Sequence, residues 1–520
     1  MSARARALSG WMVTATMLGG CAHVGPDFQP QHEQWSGQWS SEAIAQASNL
    51  QAQPEMRQWW QVFDDPVLER LIAEADANDA GVKVAGLRVM EARAQLGMAQ
   101  AGRYPQQQQF TADAMHIRSR QSGPTAQASR VWEYSAGVDV GWELDFWGKF
   151  ARAIESADAA YFASLANRED VLVLLHAQLA QAYYALRTAE ARVRIARDNA
   201  RLQKRSFEIT ERLFKAGESD ELDFQQAKTQ YLGTLSSIPE LERQIALSHN
   251  AVAILLGRPP GPLPELQEAP DKVGVLPRID RAILQDVPAN LLLRRPDIRA
   301  AELQIAAQSA QIGVAKADLY PSLTLVGSIG WSANSLPGTQ NGLLLVAGPS
   351  LRWNIFDYGR IHNNVRVQDA RLQQLIVMYQ NDVRVAAREA DDAASSLLKA
   401  LEREDILRDA ARSAERSLTL ANTQFQEGYS DFQRVLDAQR ALFAQQDGYL
   451  VNRSNAVGYL IDLYKSLGGG WYTEQPMVDA ATRDQMKRRT DWGDLLEEPP
   501  REPSAPIKPI VTPQGANGHE

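Results

Sequence analysis

The residue with the most distinctive chemistry in this sequence is Cys21, the single cysteine among 520 residues. Arg4 and Arg6 precede a mostly apolar stretch, and Leu18-Gly19-Gly20 then places small residues directly before the thiol. This order is typical of an export signal ending at a lipoprotein processing site, where the cysteine is lipidated and becomes the mature N-terminus. The alternative is an ordinary signal peptide followed by an incidental cysteine. One cysteine excludes an intrachain disulfide.

The residue after the cysteine is Ala22 rather than an aspartate, which favours sorting to the outer membrane. Elsewhere the sequence has no uncharged apolar run of the ~20 residues that a membrane helix needs. If the chain crosses a membrane, we therefore expect it to do so as a closed barrel.

Other patterns with catalytic or ligand-binding chemistry are absent from the sequence. It contains neither HExxH nor GxxxxGK[ST], and its seven histidines form no ligand pair of recognised spacing. The net charge of −9 argues against a nucleic-acid partner, which usually needs a basic face. We expect no enzymatic activity, no cofactor, no metal site and no nucleic-acid partner.

An internal duplication organises the chain. The segment Ala94-Gln95-Leu96-Gly97 before Tyr104-Pro105 is matched, at the same spacing, by Ala310-Gln311-Ile312-Gly313 before Tyr320-Pro321. Further matches share one offset of 211 residues: Trp142 with Trp353, Gly148 with Gly359, Gly217 with Gly428 and Gly257 with Gly468. Agreement at a fixed offset over this span indicates that the chain contains two copies of one structural unit.

Each repeat predicts the same order of elements. A helix of roughly 35 residues ends at a Tyr-Pro pair, because proline cannot continue a helix. Two strands follow, then a very long helix near Trp147–Leu213 or Tyr358–Phe425, then a turn and a shorter helix that ends at a glycine. A helix of about 65 residues spans roughly 100 Å, which indicates a rod or a tube wall rather than a compact domain.

The predicted strands alternate between apolar and polar residues. In the first repeat Trp132, Tyr134, Val138 and Trp142 share one face, and the residues between them are polar or small. The second repeat alternates in the same way. This pattern is typical of a membrane barrel strand, although a half-buried soluble sheet alternates too. Four strands cannot close a barrel, so oligomerisation must supply the rest, and a trimer would give twelve.

The predicted fold class is therefore a mixed α+β membrane protein with a long helical tunnel and four strands per protomer. The predicted organisation is a signal peptide (1–20), a linker from the lipidated cysteine (21–62), a first repeat (63–257), an inter-repeat linker (258–285), a second repeat (286–471) and a proline-rich, disordered extension (472–520).

Several motifs in this order resemble one family. They are Cys21, Val24-Gly25-Pro26-Asp27-Phe28, Arg294-Arg295-Pro296-Asp297-Ile298 and the paired Tyr-Pro and Gly-Lys/Gly-Arg elements. Together they resemble the outer membrane factors of tripartite efflux systems, in particular the OprM/NodT-type lipoprotein branch of this TolC-like family. The resemblance covers about residues 21–471.

The resemblance implies a homotrimer in outer-membrane lipid, with a tunnel extending into the periplasm. Its expected partners are a periplasmic adaptor protein and an inner-membrane pump of the resistance-nodulation-division class. The implied function is a passive duct that exports small molecules such as drugs and toxic organic compounds. No cofactor and no chemistry are implied.

The resemblance also assigns roles to residues near the two helical turns. The adaptor-docking tips would be Phe214, Gly217 and Ser219 with Phe425, Gly428 and Ser430. The alternative there is simple turn chemistry, with Ser219 or Ser430 capping a helix. The Arg294–Asp297 segment is interpreted as a helix start, because proline suits a first turn and aspartate favours the N-terminal dipole.

A periplasmic gate is the third implied site. Asp223 and Asp437, about two turns past the tips, correspond by position to carboxylates that line the closed mouth in the family. The duplication is taken to place them on equivalent helix faces. Ser430 stands where the family has an arginine, and Arg434 lies nearby. The alternative is a solvated helix face.

Two rival functions remain open at this point. The same fold could export polypeptides as the outer-membrane duct of type I secretion. A structural coiled-coil lipoprotein of the envelope is the other rival, although such a spacer needs no lipid-patterned strands.

Overall fold

The computed structural model describes residues 23–30, 56–120, 128–267, 270–281, 283, 294–333 and 341–497. The predicted signal peptide and Cys21 lie outside these ranges. Among the described residues, no helix combines the length and the apolarity needed to cross a membrane.

The first repeat contains four main helices and two strands. They are α1 (Pro66–Asn78), α2 (Ala80–Ala101), β1 (Gln107–Arg120), β2 (Ala128–Leu144), α3 (Lys149–Ala216) and α4 (Glu221–Leu255). The second repeat contains α5 (Pro296–Ala317), β3 (Ser322–Ala333), β4 (Asn341–Arg352), α6 (Arg360–Gln426) and α7 (Phe432–Ser466), and α8 (Ala480–Arg489) follows it.

The two long helices confirm the prediction made from the sequence. Helix α3 has 68 residues and α6 has 67, and each is followed by a helix of 35 residues. Each long helix begins after a glycine with a left-handed backbone, Gly148 or Gly359. The duplication is thus visible in the length and order of the elements.

The first predicted helix of each repeat was too long. In the first repeat the expected single helix is two helices, because Asp79 leaves the helical conformation and its side chain accepts a hydrogen bond from Val82 N at 3.0 Å. That bond caps the start of α2 and ends α1. In the second repeat, α5 has 22 residues and begins at Pro296.

The four strands form one antiparallel sheet in the order β1-β2-β3-β4. The central pairing joins the two repeats, with Val138 opposite Ile329 and Trp142 opposite Leu325. The predicted apolar faces of the strands therefore lie on the same side of the sheet. In a single chain this face is exposed, and β1 and β4 are the two edges.

The largest apolar cluster joins both repeats. Trp59, Trp60 and Phe63 of a short 3-10 helix are buried there against α1, α3 and α7. The Trp59 ring stacks on the Tyr464 ring at 5.4 Å between centroids. This cluster ties the N-terminal part of the first repeat to the end of the second.

The prediction that the whole extension after residue 471 is disordered was wrong for its first half. Helix α8 packs on α2, with Val478, Met486 and Leu496 buried beside Val89 and Met90. The Arg93 guanidinium donates a hydrogen bond to the Leu495 carbonyl oxygen at 2.6 Å. The proline-rich end, 498–520, lies outside the described residues.

Candidate functional site

The two predicted tips are the turns that join α3 to α4 and α6 to α7. Gly217 has φ of +76° and Gly428 has φ of +80°, a conformation that favours glycine. The residue after each glycine donates a hydrogen bond to a carbonyl oxygen one turn back, Glu218 N to Leu213 O at 2.9 Å and Tyr429 N to Gln424 O at 2.8 Å. Both glycines therefore end their helices with the same backbone motif.

Ser219 and Ser430 do not cap the following helices. The residues at the cap positions are Asp220 and Asp431, and the Asp220 carboxylate accepts a hydrogen bond from Leu222 N at 3.3 Å. The hydroxyl of Ser219 instead donates to the Asp223 carboxylate at 3.3 Å. Each predicted cap is thus one residue too early, and only Asp220 makes a capping hydrogen bond with its side chain, whereas Asp431 makes none.

The two predicted tip phenylalanines are largely engaged in packing within their hairpins. The Phe214 ring stacks on Phe224 at 5.6 Å between centroids, and Phe425 meets Phe432 edge-on at 5.1 Å. Phe214 remains 38% exposed, whereas the neighbouring Tyr429 is 82% exposed. Sequence reasoning missed Tyr429, although its place between the turn glycine and serine could have identified it.

The two predicted gate carboxylates are not at equivalent positions of the duplication. The offset of 211 residues pairs Asp223 with Arg434 and Asp437 with Gln226. Asp223 is the third residue of α4 and Asp437 the sixth residue of α7. Since three residues turn an α-helix almost once, the two carboxylates still lie on similar faces, at different heights.

Asp437 is paired within its own helix. The Arg440 guanidinium contacts its carboxylate at 2.9 Å, and the Gln433 amide donates to the same oxygen at 3.1 Å. The Asp437 and Arg440 side chains are both more than half exposed, and such surface pairs are weak. The pair can therefore open without a large cost when another cation approaches.

The two hairpins are joined by amide side chains near the predicted gate carboxylates. The Gln230 amide on α4 donates to Gln439 on α7 at 3.3 Å, and the buried Gln439 amide donates to the Ser206 hydroxyl on α3 at 2.8 Å. These bonds connect α7, which carries Asp437, to both helices of the first hairpin.

The Arg294–Asp297 segment starts α5, as predicted. The side chain of Arg295 also bonds to groups on three helices. Its guanidinium contacts Asp297 at 2.7 Å, Glu389 at 3.1 Å and the Ser466 carbonyl oxygen at 2.9 Å. Burial alone would lower the pKa of Arg295, but the hydrogen bonds to the two carboxylates raise it. One side chain thus links α5, α6 and the end of α7.

A carboxyl group on α3 faces the same cluster. Burial, followed by the negative charge of Asp297, raises the pKa of Asp170 to about 6, although Arg295 acts in the opposite direction. Sequence reasoning missed Asp170, because the charged groups around it, Asp297 and Arg295, lie more than 100 residues away along the chain.

No group of three or more His, Cys, Asp or Glu side chains within the described ranges is arranged to hold a metal ion.

The family model and the relatives that match this chain are outer-membrane or efflux proteins. The family model "Outer membrane efflux protein" matches residues 71–258 and 287–469, one segment in each repeat. The probable outer membrane lipoprotein SilC of Salmonella typhimurium is 31% identical over 471 residues, which are 88% of this chain and 97% of the relative. The cation efflux system protein CusC of Escherichia coli O6:H1 is 30% identical over 470 residues, with 88% and 97% covered.

A solved structure gives the same result for the fold. The outer-membrane channel OprN matches with a TM-score of 0.77 at 31% sequence identity, and the match covers 86% of this chain and 100% of that chain.

Proposed function

The chain belongs to the outer membrane efflux protein family, and we propose that three copies of it form the outer-membrane duct of a tripartite efflux system. The family match spans both repeats, which confirms the resemblance found in the motifs and the expectation that the chain is a channel and not an enzyme. It also identifies the chain as an outer-membrane component of efflux systems. The trimer, its partners and its cargo are the proposed part.

The sheet supports the trimer. Each chain has four strands with an exposed apolar face and two strand edges, β1 and β4, that no other described strand covers. Unpaired edges are costly and prone to pairing, so β4 of one copy is expected to pair with β1 of the next. Three copies would close twelve strands. Native mass spectrometry of the detergent-solubilised protein tests this, and a monomer at working concentration would contradict it.

The hairpin ends are proposed to contact a periplasmic adaptor protein. Phe214, Gly217 and Ser219 at one end have counterparts Phe425, Gly428 and Ser430 at the other, so a trimer would present six similar ends. Exposure of Tyr429 adds an aromatic contact at the second end. The adaptor would join the duct to an inner-membrane pump of the resistance-nodulation-division class.

Replacing both turn glycines tests the docking. A Cβ at Gly217 or Gly428 meets nothing within 4 Å, so arginine fits in space, although the positive φ adds strain. We expect G217R/G428R to lose export while trimer levels persist. Gly493→Arg is the matched control, since Gly493 is also left-handed, lies in open space and belongs to the C-terminal segment that packs on α2, away from the two turns. Unchanged export in the double variant would place the contact elsewhere.

Asp223, Asp437 and Arg434 are proposed to form the periplasmic gate. Threefold symmetry would bring six carboxylates around one axis. Like charges at about 4 Å repel by roughly 1 kcal/mol per pair in water-like surroundings, and by more where water is scarce. Cations should be drawn to such a mouth and should stabilise its closed state, and the effect should weaken with salt.

Single-channel recording tests the gate. D223A/D437A should abolish block by multivalent cations added on the periplasmic side and should reduce cation selectivity. The control variant Asp409→Ala removes an exposed carboxylate on α6, which carries neither of the two gate carboxylates. It should leave the cation block and the cation selectivity unchanged. The same block in the double variant would mean that these carboxylates are merely solvated.

The proposed cargo is small molecules, including drugs and toxic organic compounds, with cations as the second class because CusC is named a cation efflux protein. Deletion of the gene, followed by growth tests with organic toxicants, metal cations and a secreted polypeptide reporter, separates the candidates. Sensitivity to organic compounds supports the main proposal. Loss of polypeptide secretion alone would favour type I secretion.

A further inference from the structure

The four strands divide their charged residues between the two faces of the sheet. Arg118 and Arg130 lie on the apolar face, the face of Trp132 and Trp142, and both arginines are exposed. The strands also contain four carboxylates, and the register places all of them on the opposite, polar face. They are Asp113, Glu133, Asp139 and Glu143. Because the apolar face is the one expected to contact lipid, the two guanidinium groups lie at the lipid surface and the carboxylates do not.

The two arginines are directly opposite each other on neighbouring strands. Arg118 of β1 is the register partner of Arg130 of β2. Directly opposite side chains have Cβ atoms about 5 Å apart, and like charges at that separation destabilise a sheet. Within the part of the chain that the structure describes, neither guanidinium forms an ion pair. The chain itself therefore does not offset their repulsion there.

A second copy would not offset it either. In the proposed duct, β4 of the next copy pairs with β1, and the sequence of β4 (Asn341–Arg352) contains no Asp or Glu. Residues 121–127, which connect β1 to β2, contain none either. A partner for the two positive charges must therefore come from outside the protein.

The position of the pair along the strands places it at the outer boundary of the lipid. Trp142 lies at the helix end of β2, and Trp132 is ten residues farther along, with its ring stacked on Tyr134 at 6.2 Å. Ten residues span about 33 Å, which at a tilt of about 40° gives a height of about 25 Å, the usual distance between two aromatic girdles. Since the helices extend into the periplasm, Trp132 marks the exterior side. Arg130 lies two residues beyond it, at the level of the outer headgroups.

The chemistry of this pair suits a phosphate group. The outer leaflet of an outer membrane is formed by a glycolipid whose sugar headgroup carries phosphates. An arginine guanidinium binds phosphate through two parallel hydrogen bonds, so one phosphate between Arg118 and Arg130 would replace their mutual repulsion by attraction to a shared anion. His116 lies on the same face, with its ring 5.2 Å from that of Trp132, and its imidazole N–H offers a further donor.

The surface next to the arginines suits acyl chains. Toward the helices, the same face of the hairpin carries Ala112 opposite Ala136 and Phe110 opposite Val138. These side chains are apolar, and the alanines leave a shallow strip between the larger ones. A ligand with a phosphate at one end and acyl chains at the other fits this order of residues, whereas a free phosphate would leave the strip uncovered.

We propose that Arg118 and Arg130 form a binding site, on the lipid-facing side of the β1-β2 hairpin, for a phosphate of lipopolysaccharide, the glycolipid of the outer leaflet. The proposal rests on the sheet facing lipid, as in the duct put forward above. It does not depend on the proposed adaptor, gate or cargo.

Native mass spectrometry of the full-length, detergent-solubilised protein with purified diphosphoryl lipid A tests the site. R118Q/R130Q should bind lipid A about thirtyfold more weakly than the parent, which is about fivefold for each arginine at an anionic lipid surface. The matched control R352Q/R360Q also removes two exposed arginines, but at the helix end of β4, and should bind as the parent does. Equal binding by R118Q/R130Q and the parent would overturn the proposal.

Two further lipids test what the site recognises. Lipid A without its phosphates should bind to the parent as weakly as diphosphoryl lipid A binds to R118Q/R130Q, and phosphatidylglycerol should also bind more weakly. Undiminished binding of dephosphorylated lipid A would exclude recognition of the phosphates. Undiminished binding of phosphatidylglycerol would replace the glycolipid site by a general anionic-lipid surface.

The same spectra report the oligomer, so the two proposals can fail separately. A trimer that binds no lipid A overturns the site and leaves the proposed duct standing. A monomeric parent protein overturns the duct and with it the lipid-facing surface on which the site rests.

Thermal unfolding in detergent provides an independent measurement. Without lipid A, R118Q/R130Q should be at least as stable as the parent, because it lacks the opposed like charges. Added lipid A should raise the unfolding temperature of the parent and of R352Q/R360Q, since a ligand of the folded state stabilises it, but not that of R118Q/R130Q. The same rise in all three proteins would contradict a role of the two arginines in binding.

Discussion

The carboxyl group of Asp170 should destabilise the folded chain at neutral pH. Its pKa is raised to about 6 by burial and then by the charge of Asp297. A carboxyl group whose pKa is higher in the folded state binds its proton more tightly there, so the protein gains stability at low pH. That gain is complete below about pH 4 and is lost as the pH rises through about 6.

The size of the effect follows from the shift. The ordinary pKa of an aspartate is 3.8, whereas the pKa of Asp170 in the folded chain is about 6. At 1.36 kcal/mol per unit this corresponds to about 3 kcal/mol as an upper bound. Asp170 is partly open to solvent, so we expect about half of that. Asp170→Asn, which carries no charge at any pH, should therefore be more stable than the parent by about 1.5 kcal/mol at neutral pH.

Urea unfolding of the solubilised protein at fixed protomer concentration measures this difference, because oligomer stability depends on concentration. The midpoint should rise in Asp170→Asn at about pH 7.5 and should equal that of the parent near pH 4. Asp198→Asn, on an exposed part of the same helix, is the matched control and should change little at either pH. A gain that is independent of pH, or a loss at neutral pH, would refute the electrostatic explanation.

Three further predictions concern single positions. Arg295→Ala should cost about 3 kcal/mol, because it leaves two carboxylates and a carbonyl oxygen without their partner, whereas the adjacent, exposed Arg294→Ala should cost little in the same unfolding assay. Mass spectrometry of the mature N-terminus should find Cys21 lipidated, and Cys21→Ser should still fold; an unmodified cysteine or cleavage elsewhere would disprove the assignment. Gly428→Ala should lower the free energy of unfolding by about 1 to 2 kcal/mol, because alanine is strained in the left-handed backbone conformation of Gly428. Gly448→Ala inside α7 should raise it by about 0.5 to 1 kcal/mol, so thermal unfolding should shift in opposite directions for the two variants.

The long helices could be predicted closely because local sequence signals determine where they begin and end. Glycines with positive φ stand before α3 and α6 and after α3, and these glycines recur at one offset. The expected boundaries at Trp147 and Tyr358 are each two residues from the observed starts. Local signals of this strength do not depend on tertiary packing.

The errors arose where packing or a single side chain decides the structure. Asp79 breaks the first helix by capping α2, which an aspartate inside an apolar pattern does not reveal. The prediction of a disordered tail rests on the six prolines between Pro499 and Pro513, whereas Val478, Met486 and Leu496 before them pack on α2. The gate carboxylates were paired by their distance from the tips rather than by the offset of the duplication.

The duplication also allows a comparison that a single domain would not. Helices α3 and α6 are copies of one element, yet α3 buries Arg152, Ser156 and Tyr161 in its first turns, whereas α6 buries none of its described residues between Ile361 and Tyr379. The copies share length and boundaries, so the difference comes from their neighbours. Helix α3 packs against both α2 and α5. Helix α6 packs against α5 but not against α2. Ser156 of α3 accepts a hydrogen bond from Gln311 of α5, whereas its counterpart Val367 on α6 is exposed, so in the proposed oligomer another copy would have to cover this stretch of α6.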